Sequence, residues 1–522
     1  MFTASGTGAV TRTLDAKISE TISAKDFGAV GDGTNDDTEE IQAAINALSS
    51  NQTLLFEGNF RITNSLTITN KTRVRLTGNG RIFFDGAPSG AYIFLLVGTI
   101  DSLEIDSLTL VGDNNSSYTQ GAIGCNSGQT ISNTRFHDLQ ISNTNVGISH
   151  NADLSGSWTN GWCYNNYLTN ISGIVSGSGY GIQAARAYNL HIYGNTINNA
   201  SRHSIYVGRG HNLACIIENN TILNHRKDVA DASPRGAIDV GRTSGVIISN
   251  NTFRDCYDGM IYAGSDTGTS DNNYDILICG NKFGTPKNVV PAIWLGEQLT
   301  PTTARMYGID ILDNTFEQDC SLTTGVVINL LNGNGITVKN NRLRAYNVAA
   351  ALPIFVLIGD SSFISADADI SEITVTDNVC LSDKGSVVSG SRILYISDQL
   401  CTGTSVYTAK NNYGKDWATE YAFEVSPPTN LNSKLKFTTT ITYTWSVPAN
   451  TNGSGAFSVQ GCKPTSSVTV RANSGTMVAP FLAISGYAAT TVNTVEVYAV
   501  NPDNALTSTQ TNMVHRIFVE DF

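Results

Sequence analysis

The sequence contains the segment Tyr193-Gly194-Asn195-Thr196-Ile197, in which a short strand-like run leads into Asn, any residue and an apolar residue. This Asn-x-apolar pattern recurs six further times, at Asn220, Asn251, Asn281, Asn314, Asn341 and, in a weaker copy, Asn378. Successive copies are 25, 31, 30, 33, 27 and 37 residues apart. An irregular period of this size, with strand-forming residues and Asn or Gly turns, is typical of a β-solenoid whose loops vary in length.

A second set of apolar runs keeps step with the first. Its members have apolar residues at the first and third positions and often Gly at the fourth: Ile182-Gln-Ala-Ala, Ile205-Tyr-Val-Gly, Ile238-Asp-Val-Gly, Ile261-Tyr-Ala-Gly, Ile293-Trp-Leu-Gly, Ile328-Asn-Leu-Leu, Val356-Leu-Ile-Gly and Leu394-Tyr-Ile-Ser. Because side chains alternate across a strand, we expect the first and third positions to point inward and the second outward. Asn side chains stacked at the turns would form hydrogen-bonded ladders. The alternative is a series of antiparallel hairpins, from which two in-phase sets per repeat are hard to obtain.

The regions that flank the repeats differ from them. The segment Asp36 to Leu48 begins with acidic residues and places Ile41, Ala44, Ile45 and Leu48 at helical spacing, which predicts an N-capped amphipathic helix that covers the end of the solenoid. After about residue 410 the Asn pattern stops, Ser426-Pro427-Pro428-Thr429 marks a boundary, and alternating runs then predict an antiparallel β-sandwich. We therefore expect a stem (1–24), a cap (25–75), a parallel β-helix (76–412), a linker (413–430) and a β-sandwich (431–522).

Composition limits the classes of function. The 522 residues carry a net charge of −12, and only 15% are charged, against about 25% in typical globular domains. An acidic chain argues against a nucleic-acid partner. No apolar run approaches the length of a membrane helix, so we expect a soluble chain without membrane insertion. The nine Cys residues are scattered singly without a CxxC pair, which favours buried free thiols over a zinc site.

The N-terminal region carries a long motif. It reads Lys25-Asp26-Phe27-Gly28-Ala29-Val30-Gly31-Asp32-Gly33, followed by Asp36-Asp37-Thr38 and Ile41-Gln42-x-Ala44-Ile45. This motif resembles the opening of the pectate-lyase-like superfamily, whose members are right-handed parallel β-helices. The preceding Gly8-Ala9-Val10-Thr11-Arg12-Thr13 resembles the segment before that motif in bacteriophage tailspikes and capsule depolymerases. The motif is specific for the fold and much less so for the chemistry, because pectinases, glucanases and tailspikes share it.

The tailspike resemblance implies a homotrimer on the virion, made in the host cytoplasm and acting at the host cell surface. It further implies cleavage of a capsular or other surface polysaccharide, docking onto phage tail or fibre components, and a C-terminal sandwich that trimerises or binds glycan. Some pectate lyases use Ca²⁺, but the sequence has no acidic cluster with EF-hand-like spacing, so we expect no cofactor. The superfamily has no fixed catalytic signature, so the candidate residues must come from this sequence.

A groove is predicted along the outward position of the second set of runs. That column contains Ser149, Gln183, Tyr206, Asp239, Tyr262, Trp294, Asn329, Leu357 and Tyr395. Aromatic residues on a solvent-facing column have no core to fill, and flat rings among hydrogen-bonding groups suit sugar faces. We therefore assign Tyr262 and Trp294 to substrate binding. The alternative is that loops or a neighbouring subunit cover the column.

Three arginines follow the same runs. Arg186, Arg209 and Arg242 come one residue beyond the fourth position, and Glu297 occupies that position further on. Like charges on adjacent rungs destabilise a sheet, so a pool of Arg in an acidic chain predicts an anion such as an acidic sugar. Alternatively, each Arg pairs with a local carboxylate or turns away at the bend.

Proton-transfer residues cluster near those arginines. His203 and Tyr206 lie in the run Arg202-His203-Ser-Ile-Tyr206, and His225-Arg226 occupies the next turn. This set suits β-elimination on a uronate: Arg242 stabilises the developing charge, and His203 or Tyr206 removes or supplies a proton, with Asp239 also catalytic. We assign Arg186, Arg209, His225 and Arg226 to substrate binding.

Hydrolysis is the competing chemistry, since it needs a pair of carboxyl groups. Asp239 and Glu297 are the candidates, but at about 4.8 Å per rung and about 3.3 Å per residue their backbones are about 14 Å apart. Asp255, Asp258 or a carboxylate from a neighbouring chain could complete the pair instead. A third possibility is a non-catalytic receptor-binding fibre that only holds glycan for host cell attachment. The sequence narrowly favours a lyase.

Overall fold

The structure is a computed structural model. It describes residues 1–113, 120–125, 128–150, 156–173, 178–208, 210–226, 236–264, 272–296, 306–322, 325–359, 370–396, 407–423, 435–447, 452–458, 467–474, 484–488, 494–500 and 508–520. The chain divides into two units. The N-terminal unit comprises Met1–Asp266 and Asn273–Lys287, and the C-terminal unit comprises Thr267–Asn272 and Asn288–Phe522.

Three parallel sheets form the N-terminal unit, and the chain visits them in turn. Sheet 1 contains Leu66–Thr69, Tyr92–Val97, Gly121–Cys125, Val146–His150, Tyr180–Ala185, His203–Gly208, Ile238–Gly241 and Ile261–Gly264. Sheet 2 contains Thr21–Ser23, Thr53–Phe56, Arg75–Gly78, Thr99–Asp101, Glu104–Asp106, Thr130–Ser132, Arg135–His137, Ser157–Thr159, Trp162–Tyr164, Ala187–Tyr188, His191–Tyr193, Asn212–Leu213, Ile216–Glu218, Thr243–Ser249 and Asn273–Cys279. Sheet 3 contains Asp32–Asp36, Asn59–Ile62, Arg81–Phe84, Thr109–Val111, Gln140–Ser142, Tyr167–Ile171, Thr196–Ala200, Thr221–Leu223, Thr252–Arg254 and Lys282–Phe283.

The C-terminal unit has the same three-sheet order. Its sheet 1 contains Ile293–Leu295, Val326–Leu330, Ile354–Ile358, Val388–Ile396 and Trp417–Phe423. Its sheet 2 contains Met306–Leu312, Gly333–Lys339, Ile370–Thr376 and Tyr407–Lys410, and its sheet 3 contains Thr315–Asp319, Arg342–Tyr346, Val379–Ser382 and Tyr413–Gly414. The last described strands are Leu435–Val447, Asn452–Ser458, Ser467–Ser474, Ile484–Ala488, Thr494–Val500 and Ser508–Glu520, and they pair with one another antiparallel. The predicted all-β class, a parallel β-helix followed by antiparallel strands, is confirmed.

Three short helical segments precede or cap the first coils: the helix Leu14–Ile18, the 3₁₀ turn Ala24–Phe27 and the helix Thr38–Ala47. The predicted capping helix is confirmed, and it buries Ile41, Ala44 and Ile45. Asp37 precedes this helix, but its side chain does not cap it. Its carboxylate accepts hydrogen bonds from the backbone N–H groups of Val30 at 2.6 Å and Gly31 at 3.1 Å, so it fixes the Gly-rich turn of the N-terminal motif. No helix within the described residues is long and apolar enough to cross a bilayer.

The bend from sheet 2 to sheet 3 has the same length in successive coils. From Thr53–Phe56 onward, every described connection of this kind has two residues, whereas the fully described connections from sheet 3 to the next sheet 1 strand range from two to nine residues. At the ladder bends the first residue is left-handed, as at Asn165, Asn219 and Asn250, which Asn tolerates better than most residues. The second residue is the recurring Asn that the sequence pattern identified.

These recurring Asn side chains form the expected ladders. In the N-terminal unit the ladder runs through Asn166, Asn195, Asn220, Asn251 and Asn281, with side-chain amide-to-oxygen distances of 2.9–3.0 Å. In the C-terminal unit it runs through Asn314, Asn341, Asn378 and Asn412 at 2.8–3.0 Å. Each of these side chains is buried. Because most of them also accept a bond from a backbone N–H and donate one to a backbone carbonyl, the ladder satisfies polar groups that the coil would otherwise bury unpaired.

Seven cysteines fall in the described residues with free thiols, and all but Cys279 are buried. The predicted buried free thiols are confirmed for the six that are buried. Burial raises the pKa of the Cys163 thiol well above its usual value. Cys401 and Cys462 lie outside the described residues.

Candidate functional site

The outer face of sheet 1 carries the predicted column. In the N-terminal unit Ser149 pairs with Gln183, Gln183 with Tyr206, Tyr206 with Asp239, and Asp239 with Tyr262. In the C-terminal unit the corresponding pairs are Trp294 with Asn329, Asn329 with Leu357, and Leu357 with Tyr395. The predicted register is therefore confirmed within each unit.

The expectation of a solvent-facing column is wrong for most of its members. Tyr206 and Trp294 are each 7% exposed and Asp239 is 9% exposed, whereas Tyr262 is only partly buried. The outward direction was predicted from alternation along the strand, but alternation gives the direction of a side chain and not what packs over it. The buried column matches the alternative of coverage, and here it is buried within a single chain.

Two more aromatic residues join this face. Gly181 and Ser204 precede the inward-pointing Ile182 and Ile205, and they point inward as well, since a Cβ on Gly181 would lie 3.1 Å from the core residue Ile197 and Ser204 is fully buried. The residues before Gly181 and Ser204, which are Tyr180 and His203, therefore point to the outer face. They are register partners on adjacent strands.

A compact ring cluster results. The ring centroids of Tyr180 and His203 are 5.4 Å apart, those of Tyr180 and Tyr206 are 5.5 Å apart, and those of His203 and Tyr206 are 5.2 Å apart. The guanidinium of Arg202 lies 5.4 Å from the centroid of the Tyr180 ring, within the range of a cation–π contact. The structure thus brings His203 and Tyr206 together as predicted, and it adds Tyr180 and Arg202, which the sequence analysis did not assign.

His203 has a defined orientation in this cluster. Its Nδ1 lies 2.8 Å from the carbonyl oxygen of Gly236 and 3.3 Å from Oδ2 of Asp239. Because a carbonyl oxygen can only accept, Nδ1 carries the proton and Nε2 is the basic nitrogen. Asp239 can stabilise the imidazolium that forms when Nε2 takes up a proton. An imidazole oriented by a carboxylate, next to a phenol, is able to act as a general base.

Glycines leave space for the tyrosine rings that lie on this face. A Cβ on Gly208 would lie 2.4 Å from the hydroxyl oxygen of Tyr206, and a Cβ on Gly264 would lie 2.4 Å from that of Tyr262. The recurring Gly at the fourth position therefore leaves room for the ring two residues earlier on the same strand. Any larger residue would lift that ring from the sheet.

The predicted arginines occupy different surroundings. Arg186 and Arg242 lie at the bend between sheet 1 and sheet 2, both in the left-handed conformation, with φ of 51° and 53°. Both are partly exposed. Arg209 lies outside the described residues, so a continuous Arg column is not described. These positions at the bend agree with the alternative that the arginines turn away from a shared anion site.

His225 and Arg226 do not fit the predicted substrate-binding role. Arg226 and Asp258 form a buried ion pair, with Nε 2.8 Å from Oδ2 and side chains that are 5% and 8% exposed. His225 is fully buried, with Nδ1 3.4 Å from the hydroxyl of Ser204. A local carboxylate on the adjacent coil neutralises Arg226, which the sequence could not show because the partner is distant along the chain. We therefore propose structural roles for both residues, and their substrate-binding assignment stays a prediction.

The described sheet 1 strands of the N-terminal unit contain no pair of carboxylates for hydrolysis. On the eight sheet 1 strands of the N-terminal unit, all of which the structure describes, Asp239 is the only acidic residue. Asp258 is held by Arg226, and Asp255 lies on the surface, 2.9 Å from Lys287. Glu297, the other predicted member of a pair, lies outside the described residues.

Comparison with known proteins identifies the family. The model of the right handed beta helix region matches residues 180–476, which is more than half of the chain. The chain belongs to the right-handed β-helix family. A second family model, rhamnogalacturonase A/epimerase, pectate lyase-like, matches residues 21–261 of this β-helix. The comparison with curated protein sequences found no match.

The right-handed β-helix is similar to solved phage tailspikes. A variant of the tailspike of E. coli bacteriophage HK620 is 14% identical with a TM-score of 0.55, covering 99% of this chain and 96% of that chain. A double mutant of the same tailspike in complex with a pentasaccharide is 14% identical with a TM-score of 0.50 and the same coverage. The Dettilon tailspike protein is 15% identical with a TM-score of 0.52, covering 97% of this chain and 96% of that chain. At these identities the likeness establishes the fold.

A possible metal cluster lies elsewhere on the β-helix, on the outer face of sheet 2. Ligand atoms of Glu104, Asp106 and His137 lie within 4.8 Å of one another. Asp106, however, accepts hydrogen bonds from Arg75 at 2.7 and 2.9 Å and from the hydroxyl of Thr77 at 2.7 Å. These donors occupy the oxygens that a cation would need, so we assign no metal there.

Proposed function

We propose that this protein is a bacteriophage tailspike that binds and cleaves an acidic bacterial surface polysaccharide by β-elimination. The observation that carries the choice of chemistry is the contact between His203 and Asp239 on sheet 1. Asp239 is the only acidic residue on the described sheet 1 strands of the N-terminal unit, and it contacts an imidazole, which orients a base. A hydrolase would need two carboxylates. The similarity to tailspikes, one of them solved with a pentasaccharide, supports a polysaccharide ligand.

The proposed reaction uses the ring cluster as an acid–base unit. Nε2 of His203 removes the proton at C5 of a uronate, the electron pair forms the C4–C5 double bond, and the C4–O bond breaks. The hydroxyl of Tyr206 gives its proton to the leaving oxygen, and solvent restores both groups afterwards. Asp239 stabilises the imidazolium, and a guanidinium neutralises the uronate carboxylate, whose charge grows in the enolate-like transition state.

Arg202 is the guanidinium that the structure favours for the uronate. It lies over Tyr180, which stacks on both His203 and Tyr206. Its Nε is buried and lacks a hydrogen-bond partner among the residues that the structure describes. Arg242 remains a candidate for the same role, because it lies three residues beyond Asp239 on the chain.

A panel of purified capsular and O-antigen polysaccharides tests the proposal. We expect at least one acidic polymer to lose viscosity and to gain the ultraviolet absorbance of an unsaturated uronate. His203→Ala, Tyr206→Phe and Arg202→Ala should each abolish that gain, while His191→Ala, whose imidazole pairs with Glu218 on sheet 2, should not. New reducing ends without absorbance would replace the lyase by a hydrolase.

A glycan-binding fibre without catalysis is the second candidate. It is favoured by the burial of the predicted acid–base residues, since His203 is only 2% exposed and Tyr206 only 7%. This candidate predicts that the same panel contains a polysaccharide that is retained by the immobilised protein and recovered at full length. Absence of both binding and cleavage across the panel would overturn the polysaccharide function.

Assembly and location follow from the tailspike proposal. We propose a homotrimer attached to the virion through phage tail or fibre components, acting at the host cell surface. Light scattering of the purified protein should give three times the 55.7 kDa mass of the chain. Antibody labelling of virions in the electron microscope should place the protein on the tail, and labelling elsewhere would overturn the assignment.

A further inference from the structure

A further aromatic residue, Tyr92, lies on the outer face of sheet 1, three strands before Tyr180 and four before Tyr206. The ring of Tyr92 lies across the neighbouring strand Gly121–Cys125. A Cβ on Gly121 would lie 2.2 Å from Cε1 of this ring, and a Cβ on Gly124 would lie 2.2 Å from the same atom. The two glycines therefore form a floor on which the ring rests. Neither glycine has a left-handed backbone, so a place for the ring accounts for them better than a turn does.

Tyr92 is connected to the proposed catalytic cluster by packing. It is partly exposed and packs against the buried group formed by Val146, Tyr180 and Tyr206. A packed surface, which includes Val146, thus extends from Tyr92 to the residues that contact His203. Neighbouring strands are about 4.8 Å apart, so the five steps from the strand of Tyr92 to that of Asp239 cover about 24 Å.

Polar side chains follow the same path. The Tyr92 hydroxyl lies next to the hydroxyl of Ser149, which donates to Oε1 of Gln183 at 2.8 Å. Gln183 is the register partner of Tyr206. Burial raises the pKa of Tyr92 to about 12, so the phenol stays protonated and remains a donor. The glycine floor under the ring and the contact of its hydroxyl with Ser149 therefore hold the ring in one orientation.

We propose that Tyr92 is a sugar-stacking subsite, so that the site takes an internal run of several sugar residues extending from His203 toward the N-terminal coils. This inference rests on the proposed polysaccharide function. A flat ring held against a glycine floor is already ordered, so binding on it costs little side-chain entropy. Its distance from His203 means that it contributes to binding and not to the chemical step.

The test compares KM, which reports a loss of substrate binding, with kcat, which reports a loss in the chemical step. The probe is the polysaccharide of the panel that the wild type cleaves best. We expect Tyr92→Leu, which keeps apolar packing but loses the flat ring, to raise KM about tenfold while kcat stays within about twofold. Tyr92→Phe, which keeps the ring but loses the hydroxyl next to Ser149, should raise KM by less than Tyr92→Leu does.

Gly124→Ala provides an independent variant, because it displaces the ring without removing it. We expect it to raise KM as Tyr92→Leu does, and the double variant to be no worse than either single one. An unchanged KM in Tyr92→Leu, or a further tenfold rise from Gly124→Ala in the Tyr92→Leu background, would overturn the inference. A wild type that cleaves no polysaccharide would instead overturn the proposed function, and the inference with it.

Discussion

Asp239 Oδ2 lies 3.3 Å from His203 Nδ1, although the two residues are 36 positions apart in the sequence. They meet because one coil separates them and because the outer face of sheet 1 receives both side chains. A carboxylate that holds an imidazole in this way acts through the imidazole. Asp239 is therefore a positioning residue in the proposed reaction, and His203 is the group that contacts the substrate.

The first prediction concerns this pair. His203→Ala and Asp239→Asn should each lower kcat/KM by about 10²-fold or more, because each removes the oriented base. The double variant should be no slower than His203→Ala, since the two residues act as a unit. Initial rates of ultraviolet absorbance gain measure this. His191→Ala serves as the control, and fully additive losses would contradict a shared role.

The second prediction concerns the Asn ladder. Asn220→Asp should lower the free energy of unfolding by about 2–4 kcal/mol, because an aspartate cannot donate to the carbonyl of Ile192 or to the side chain of Asn251 and is buried there. Chemical denaturation measures the change. Asn189→Asp is the matched control, since Asn189 is exposed and left-handed, a conformation that Asp also tolerates. Equal losses at both positions would show that burial in the ladder is not the cause.

The third prediction separates a structural from a substrate-binding Arg226. Arg226→Met should lower the free energy of unfolding by about 3–5 kcal/mol, because it leaves the buried carboxylate of Asp258 without its partner. The double variant Arg226→Met/Asp258→Leu should recover most of that loss. A stable Arg226→Met with a raised KM would restore the substrate-binding role.

The fourth prediction concerns acid stability. Hydrogen bonds from Arg75 and Thr77 outweigh burial and hold the pKa of Asp106 below its usual value. A lowered folded-state pKa adds stability above the unfolded pKa of about 3.9, and that stability is lost as the pH falls through the folded value. Asp106→Asn should therefore cost about 1–3 kcal/mol at pH 7. Denaturation at a series of pH values should show this difference shrinking below about pH 4, and a constant difference would exclude the carboxylate charge as its source.

Much of the fold could be predicted from the sequence, because a parallel β-helix repeats the same local requirement in every coil. Asn195 and its equivalents mark the one bend whose length does not change, and Ile205 and Ile238 mark the inward positions. Those two signals place Tyr206 beside Asp239 without any further information. The third sheet and the coils before residue 76 carry weaker patterns and were not separated from the rest.

The candidate site was predicted less completely, and the reasons are physical. Strict alternation puts Tyr180 and His203 on the inner face, but each strand places two consecutive residues inside. A signal for this does exist, since Gly181 and Ser204, which stand before the inward isoleucines, are small. The coverage of Tyr206 depends on packing by other parts of the chain. No local pattern reports such packing.

The two-residue bend between sheets 2 and 3 has a constant length, whereas the connections between sheets 3 and 1 vary in length. The scaffold and the surface beside the ring cluster are therefore encoded by different segments of the chain. The bend fixes the spacing of the coils, and a longer closed connection adds little entropic cost. Genetic exchange can therefore replace a whole connection beside the ring cluster while the scaffold beneath it is inherited intact. Related genes are expected to differ most in those segments, and swapping them between homologues offers a direct route to reprogramming recognition.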